Sequence, residues 1–124
     1  MKALSELRHT NVVHFVGSCI DHSPGTVMLV MELAQGGSLD RIIAAAGTDT
    51  AHPPLTSDFA IRIASDIALA LCFVHNLGRR HGDVKPQNIV LTTRGEAKLC
   101  DFGLAKMVME NLPQTDTRMG KAGE

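Results

Sequence analysis

The chain has 124 residues, of which 44% are hydrophobic and 3% aromatic, and its 12 basic and 13 acidic residues leave a net charge of −1. This length fits one domain, and the composition is that of an ordinary globular protein. No basic run is present, and four Phe with no Trp or Tyr give no platform for stacking single-stranded nucleic acid. We therefore expect no nucleic-acid partner.

The cysteines indicate a reducing compartment. Cys19, Cys72 and Cys100 lie far apart, form no C-x-x-C pair and are odd in number, which favours free thiols over a disulfide framework. The N-terminus shows no secretory signal, and the longest apolar run, residues 67–74, is much shorter than a membrane span. We expect a cytoplasmic location, with the nucleus as an alternative, and no membrane segment in this chain, although the parent protein could be membrane-anchored elsewhere.

The first third of the chain favours strands. Residues 1–8 have the leucine spacing of a helix end, and residues 12–16 predict a short strand. Residues 21–25 contain Ser, Pro and Gly and predict a turn. Residues 27–31 are continuously apolar, which predicts a buried strand.

Two helices are predicted next. Ser38 is a suitable N-cap for a short helix that ends near Gly47. A long helix over residues 57–77 begins at a Thr56 or Ser57 cap and stops at Gly78. Its apolar stripe recurs every three to four residues and consists of Phe59, Ile63, Ile67, Leu71 and Val74.

A hairpin follows the long helix. Residues 89–91 and 97–100 are apolar and flank Arg94-Gly95, a turn signal. The order of elements predicts an α+β fold rather than alternating β-α-β units. We expect Cys72 to be buried in the long helix, and Cys100 to lie more accessibly at the edge of a cleft.

A short loop holds the residue types that phosphoryl transfer requires. Residues 81–88 read His-Gly-Asp-Val-Lys-Pro-Gln-Asn, and residues 101–103 read Asp-Phe-Gly. The reaction needs a carboxylate near the incoming hydroxyl, a cation beside the phosphoryl group and hard oxygen ligands for Mg²⁺. Asp83, Lys85 and Asn88 supply these types within six residues, and Asp101 adds a second carboxylate.

The two segments resemble the catalytic loop and the D-F-G loop of protein kinases. The resemblance implies that Asp83 accepts or orients the proton of the substrate hydroxyl and that Lys85 contacts the γ-phosphate of ATP. It implies that Asn88 and Asp101 bind Mg²⁺. Lys85 followed by Pro is similar to Ser/Thr kinases, including those of the tyrosine-kinase-like group. The implied partners are ATP and a protein substrate of unknown identity.

A second stretch, Met-Glu-Leu-Ala-Gln-Gly-Gly-Ser-Leu from Met31 onward, resembles the kinase gatekeeper and hinge. The resemblance implies that Met31 is the gatekeeper and that backbone groups of Glu32 and Ala34 face the adenine. Ser38 would lie near the ribose, and Val90 would form the floor beneath the adenine.

The resemblance implies a partial kinase fold. Residues 1–35 correspond to the remainder of the small lobe and the hinge, and residues 36–124 to the start of the helical large lobe through the activation loop. No G-x-G-x-x-G, V-A-I-K or A-P-E segment is present, so we expect the chain alone to be inactive or nearly so. Gly82 stands where kinases usually have Arg, and Thr115 and Thr117 lie where an activation-loop phosphosite could be.

Two alternatives remain open at this point. The chain could be a non-catalytic pseudokinase or scaffolding fragment, although its intact Asp83, Asn88 and Asp101 argue against a degenerate parent. It could also be a small zinc module, since four potential ligands fall close together: His9, His14, Cys19 and His22.

Overall fold

The computed structural model describes residues 7–21, 26–101 and 103 of the chain. Most of the predicted turn at 21–25, most of the helix end at 1–8, Phe102 and the threonines at 115 and 117 lie outside these residues. The elements, in chain order, are β1 (Phe15–Asp21), β2 (Thr26–Met31), β3 (Gly37–Ser38), α1 (Leu39–Ala45), α2 (Ser57–Asn76), a short 3₁₀ helix (Pro86–Asn88), β4 (Ile89–Leu91) and β5 (Ala97–Leu99). This arrangement confirms an α+β fold.

Strands β1 and β2 form an antiparallel pair with a bulge between Phe15 and Gly17. Residues 27–31 lie in a strand, as expected, but the expectation that this strand is buried is wrong. Met28 and Val30 are 49% and 50% exposed, because only the face that carries Val27 and Leu29 packs on the core of the described residues. Met31, at the end of the strand, is 40% exposed.

Both helices form close to their predicted bounds. The hydroxyl of Thr56 accepts a hydrogen bond from the Phe59 amide at 3.2 Å, which confirms the N-cap of α2. The helix ends at Asn76, and Gly78 follows it with a φ of 70°. Its buried face consists of Ile63, Ile67, Ala70 and Val74.

The prediction that Cys72 is buried is wrong. The residue lies two positions from both Ala70 and Val74, so the helical turn carries its side chain to the opposite, exposed face of α2. Cys19 is also exposed, whereas Cys100 is half-buried.

A three-stranded antiparallel sheet, in the order β3-β4-β5, supports the predicted hairpin. The turn closes through a bond from the Thr92 amide to the Glu96 carbonyl at 2.9 Å, and Gly95 has a φ of 80°. Strand β3 is only two residues long, and it was not predicted from the sequence. Its register brings Ser38 opposite Val90.

The chain before β1 packs on the hairpin. Val12 forms an isolated parallel bridge with Leu99 rather than the predicted strand over 12–16, and both side chains are fully buried. The ring of His9 stacks on Phe73 of α2, with centroids 4.9 Å apart. Among the described residues, no helix has the length and apolar character that crossing a bilayer requires.

Candidate active site

The loop before the 3₁₀ helix gathers three of the predicted residues around one carboxylate. Lys85 Nζ lies 3.0 Å from Asp83 Oδ2. Asn88 Nδ2 donates to the same oxygen at 3.0 Å and to the Asp83 carbonyl at 2.8 Å. The 3₁₀ helix makes this possible, because its turn, closed by the Asn88 amide on the Lys85 carbonyl at 2.9 Å, folds Asn88 back toward Asp83.

Asp83 is held in its charged form. The hydrogen bond from Lys85 lowers the pKa of this carboxyl below its ordinary value, and this outweighs the desolvation that raises it. The charge of Lys85 and the bond from Asn88 lower the pKa further. An exposed, ionised carboxylate in this position can accept a proton from an incoming hydroxyl.

His81 links this loop to the strand that precedes Asp101. The Asp83 amide donates to His81 Nδ1 at 3.1 Å, so Nδ1 carries no proton. Nε2 therefore carries it and donates to the Cys100 carbonyl at 2.8 Å. The imidazole is buried and connects two loops that are distant in sequence. The sequence gave no sign of this bridging role.

Two residues offer oxygen ligands for a metal. Both hydrogens of Asn88 Nδ2 are taken up by Asp83, which leaves Oδ1 as the group available to a cation. Asp101 is exposed, and the Cys100 amide just before it donates to the Asn88 carbonyl at 2.9 Å, which holds the two segments together. A carboxylate and an amide oxygen are hard ligands that suit Mg²⁺.

Asp101 has an unusual backbone. Its φ of 63° lies in the left-handed region, which Asp adopts more readily than most residues. Gly82 on the facing loop has a φ of 82°, a conformation that favours glycine over the arginine expected from the resemblance.

No group of three His, Cys, Asp or Glu side chains that could hold a metal occurs within the described part of the chain. This removes the zinc alternative as far as those residues extend. His9 is instead engaged with Phe73 and accepts a hydrogen bond from the Asn11 amide at 3.0 Å. His22 lies outside the described residues.

The predicted nucleotide contacts lie around a connecting segment, residues 32–36, which joins β2 to β3. Met31, at the end of β2, is exposed, while Ala34 is half-buried. The Ala34 amide and carbonyl make no hydrogen bond to another described residue, so both can pair with a ligand. Ser38 and Val90 lie opposite each other in the adjoining sheet.

The side chain of Glu32 fastens the connecting segment to β5. Its Oε1 accepts hydrogen bonds from Lys98 Nζ at 2.8 Å and from the His14 amide at 2.7 Å. Burial raises the pKa of Glu32, but these bonds outweigh it and leave the pKa below its ordinary value. The sequence-based assignment used only the Glu32 carbonyl and missed this contact.

Similarity to known proteins points to one family. A family profile described as "Protein kinase domain" matches residues 1–122. A probable serine/threonine-protein kinase of Dictyostelium discoideum is 36% identical over 121 residues, which is 97% of this chain and 19% of that protein. PknB of Lactococcus lactis, also named as a probable serine/threonine-protein kinase, is 35% identical over 95% of this chain and 18% of its own length.

The mouse serine/threonine-protein kinase Nek2 is 33% identical over 94% of this chain and 27% of its own length. The chain thus spans 18% to 27% of the length of these three relatives. The profile covers nearly every residue, and these relatives are named as serine/threonine kinases. The chain therefore belongs to the protein kinase family.

Proposed function

We propose that the chain is the catalytic-loop portion of a serine/threonine protein kinase, which transfers the γ-phosphate of ATP to Ser or Thr of a protein substrate. One observation carries the proposal: Asp83, Lys85 and Asn88 meet at a single carboxylate oxygen. Residues 1–35 would form the remainder of the small lobe and the hinge. Residues 36–124 would form the start of the large lobe.

The residues of the loop divide the work of the reaction. Asp83, ionised and exposed, accepts or orients the proton of the substrate hydroxyl. Lys85, which lies beside Asp83, can turn its ammonium group toward the γ-phosphate, because its side chain is half-exposed and unbranched.

Protein kinases as a family use ATP and Mg²⁺, and the ion neutralises charge on the phosphates. In this chain Asn88 Oδ1 and the Asp101 carboxylate are the groups that would hold it. The adenine would lie against Val90 and pair with the backbone of Glu32 and Ala34, with Met31 at the back of its site. Ser38 would contact the ribose.

A phosphotransfer assay with radiolabelled ATP tests the proposal. The assay compares residues 1–124 with a protein in which the rest of the kinase domain is restored from the parent reading frame. We expect Mg²⁺-dependent transfer to Ser or Thr from the restored protein and no more than trace transfer from the chain alone. Asp83→Asn should reduce kcat by about 10²- to 10⁴-fold while nucleotide binding persists.

Asp58→Asn is the matched control, because Asp58 is an exposed acid in the first turn of α2. It should leave kcat unchanged. A restored protein that binds nucleotide but transfers no phosphate would contradict the proposal and support the pseudokinase alternative. Unchanged turnover in Asp83→Asn would contradict the role of Asp83.

A further inference from the structure

Strand β5 leads directly to Asp101, and its two edges are paired in different ways. One edge pairs with β4. On the other edge, the Leu99 amide donates to the Asn11 carbonyl at 2.8 Å, and the Leu99 carbonyl accepts from the Val13 amide at 3.0 Å. On the edge away from β4, the backbone of residues 11–13 therefore forms hydrogen bonds with β5 only at Leu99.

At Ala97, the first residue of β5, side chains rather than backbone groups form the hydrogen bonds on this edge. Its amide donates to Asp66 Oδ2 at 2.8 Å, and its carbonyl accepts from Asn11 Nδ2 at 2.9 Å. Ala97 is fully buried and Asn11 is 6% exposed, so water cannot easily replace the bond from Asn11, whereas the bond to Asp66 is half-buried. A buried backbone amide needs such a partner.

Asp66 lies on α2, the helix that packs against β5. It is half-buried, and its carboxylate reaches the first residue of the strand. A charged acceptor forms a stronger bond to a backbone amide than a neutral one does. Asp66 thus fixes the start of β5 relative to the long helix.

The far end of the same strand is fixed by the catalytic loop. The Cys100 amide donates to the Asn88 carbonyl at 2.9 Å, and its carbonyl lies 2.8 Å from His81 Nε2. The chain from Ala97 to Cys100 is therefore held at both ends. Asp101 follows as the next residue, and its orientation depends on where this short strand lies.

We propose that Asp66 is a positioning residue for the metal-binding carboxylate of Asp101: by accepting the Ala97 amide, it sets the position of the strand that presents Asp101. The inference rests on the proposed function, which assigns Asp101 to the metal. Asp66 does not touch substrate or metal itself. It acts through β5. Residues that orient a metal ligand without touching the metal affect metal affinity in the same way.

The test uses the restored kinase and measures binding of Mn²⁺ in the presence of ADP by electron paramagnetic resonance. Asp66→Ala leaves the Ala97 amide unpaired and should weaken Mn²⁺ binding by about 10-fold. Asp66→Asn keeps an oxygen acceptor in the same place and should remain within about twofold of the wild type. Amide hydrogen exchange at Ala97 should quicken in Asp66→Ala only.

Val74→Ala is the matched control for simple destabilisation. Val74 is fully buried in the same helix but makes no hydrogen bond to β5 through its side chain. This variant should lower Tm without changing Mn²⁺ affinity. If circular dichroism shows that Asp66→Ala does not fold, Asp66→Ser replaces it with the same expected weakening, since a serine hydroxyl is too short to reach Ala97.

Wild-type Mn²⁺ affinity in a folded Asp66→Ala or Asp66→Ser protein would overturn the inference, as would equal weakening in Val74→Ala. A different result would show that the proposed function itself is wrong. In that case the wild-type protein itself would bind no Mn²⁺ with ADP or would transfer no phosphate, whatever residue occupies position 66.

Discussion

Lys98 Nζ lies 2.8 Å from Glu32 Oε1, so an ion pair joins β5 to the connecting segment. The side chain of Lys98 is 13% exposed and that of Glu32 is 33% exposed. A charge that is mostly removed from water needs its partner, because the lost hydration is not otherwise replaced. The pair therefore matters more to the fold than an exposed surface pair would.

We predict that Glu32→Gln destabilises the protein by roughly 1–2 kcal/mol, because it leaves the Lys98 ammonium without a charged partner. Urea denaturation of the wild type, both single variants and the double variant with Lys98→Met measures this. In the double variant no buried charge remains, so part of the loss should be recovered. Additive losses would show that the two residues are not coupled.

The same pair gives a pH dependence. The folded-state pKa of Glu32 lies below its ordinary value of 4.5, so its contribution to stability is present in full above that value. The contribution is lost as the pH falls through the lower, folded-state pKa. The difference in unfolding free energy between wild type and Glu32→Gln should therefore shrink in acid, and a difference that grows as the pH falls would contradict the assignment.

Gly36→Ala should disrupt the junction between the connecting segment and the hairpin. A Cβ at this position would lie 2.5 Å from the Thr92 carbonyl oxygen and 2.6 Å from that of Leu91, and neither backbone atom can easily move. We expect a loss of about 1–3 kcal/mol in urea denaturation, with weaker nucleotide binding because the segment is displaced from β4. Gly17→Ala, where a Cβ meets nothing within 4 Å, should cause neither effect.

Lys85→Met should raise the pKa of Asp83 toward its ordinary value of 3.8, because the hydrogen bond from Lys85 is the largest cause of the lowered pKa. Carbon-detected NMR titration of labelled aspartates follows this carboxyl directly. Arg94→Met, in the β4–β5 turn, removes a cation elsewhere and should leave the Asp83 titration unchanged. An unmoved midpoint in Lys85→Met would show that the ion pair does not form in solution.

Cys72 should react with iodoacetamide faster than Cys100, the reverse of the order expected from the sequence. Cys72 is exposed on α2, whereas burial raises the pKa of the Cys100 thiol and the charge of Asp101 raises it further. Less thiolate is then available to react. Mass spectrometry over time gives the order, and the denatured protein should label both thiols at similar rates.

The features that the sequence predicted well depend on neighbouring residues. The α2 helix was expected over 57–77 and is found at Ser57–Asn76, because its cap, apolar stripe and terminal glycine are all local signals. The contacts among Asp83, Lys85 and Asn88 follow from their separation along one tight loop. Contacts of this kind depend on the spacing of residues along the chain, so they can be predicted without knowing the rest of the fold.

The features that were missed depend on distant partners. The exposure of Cys72 and of one face of β2 reflects which elements pack against them, and residue type does not encode this. Asp66 resembles any acid on an amphipathic helix, because its partner is a backbone amide, which every residue but proline carries. The pairing of Val12 with Leu99 joins parts of the chain that no local pattern connects.

The connecting segment is fixed at both of its ends. At one end the Glu32 amide donates to the His14 carbonyl at 2.9 Å, and at the other the Gly36 amide donates to the Leu91 carbonyl at 2.7 Å. Between these bonds lie only residues 33–35. Any rotation of the β1–β2 sheet against the hairpin must therefore be absorbed on this side by the φ and ψ angles of those residues. A proline there would restrict such a rotation without altering any residue of the catalytic loop.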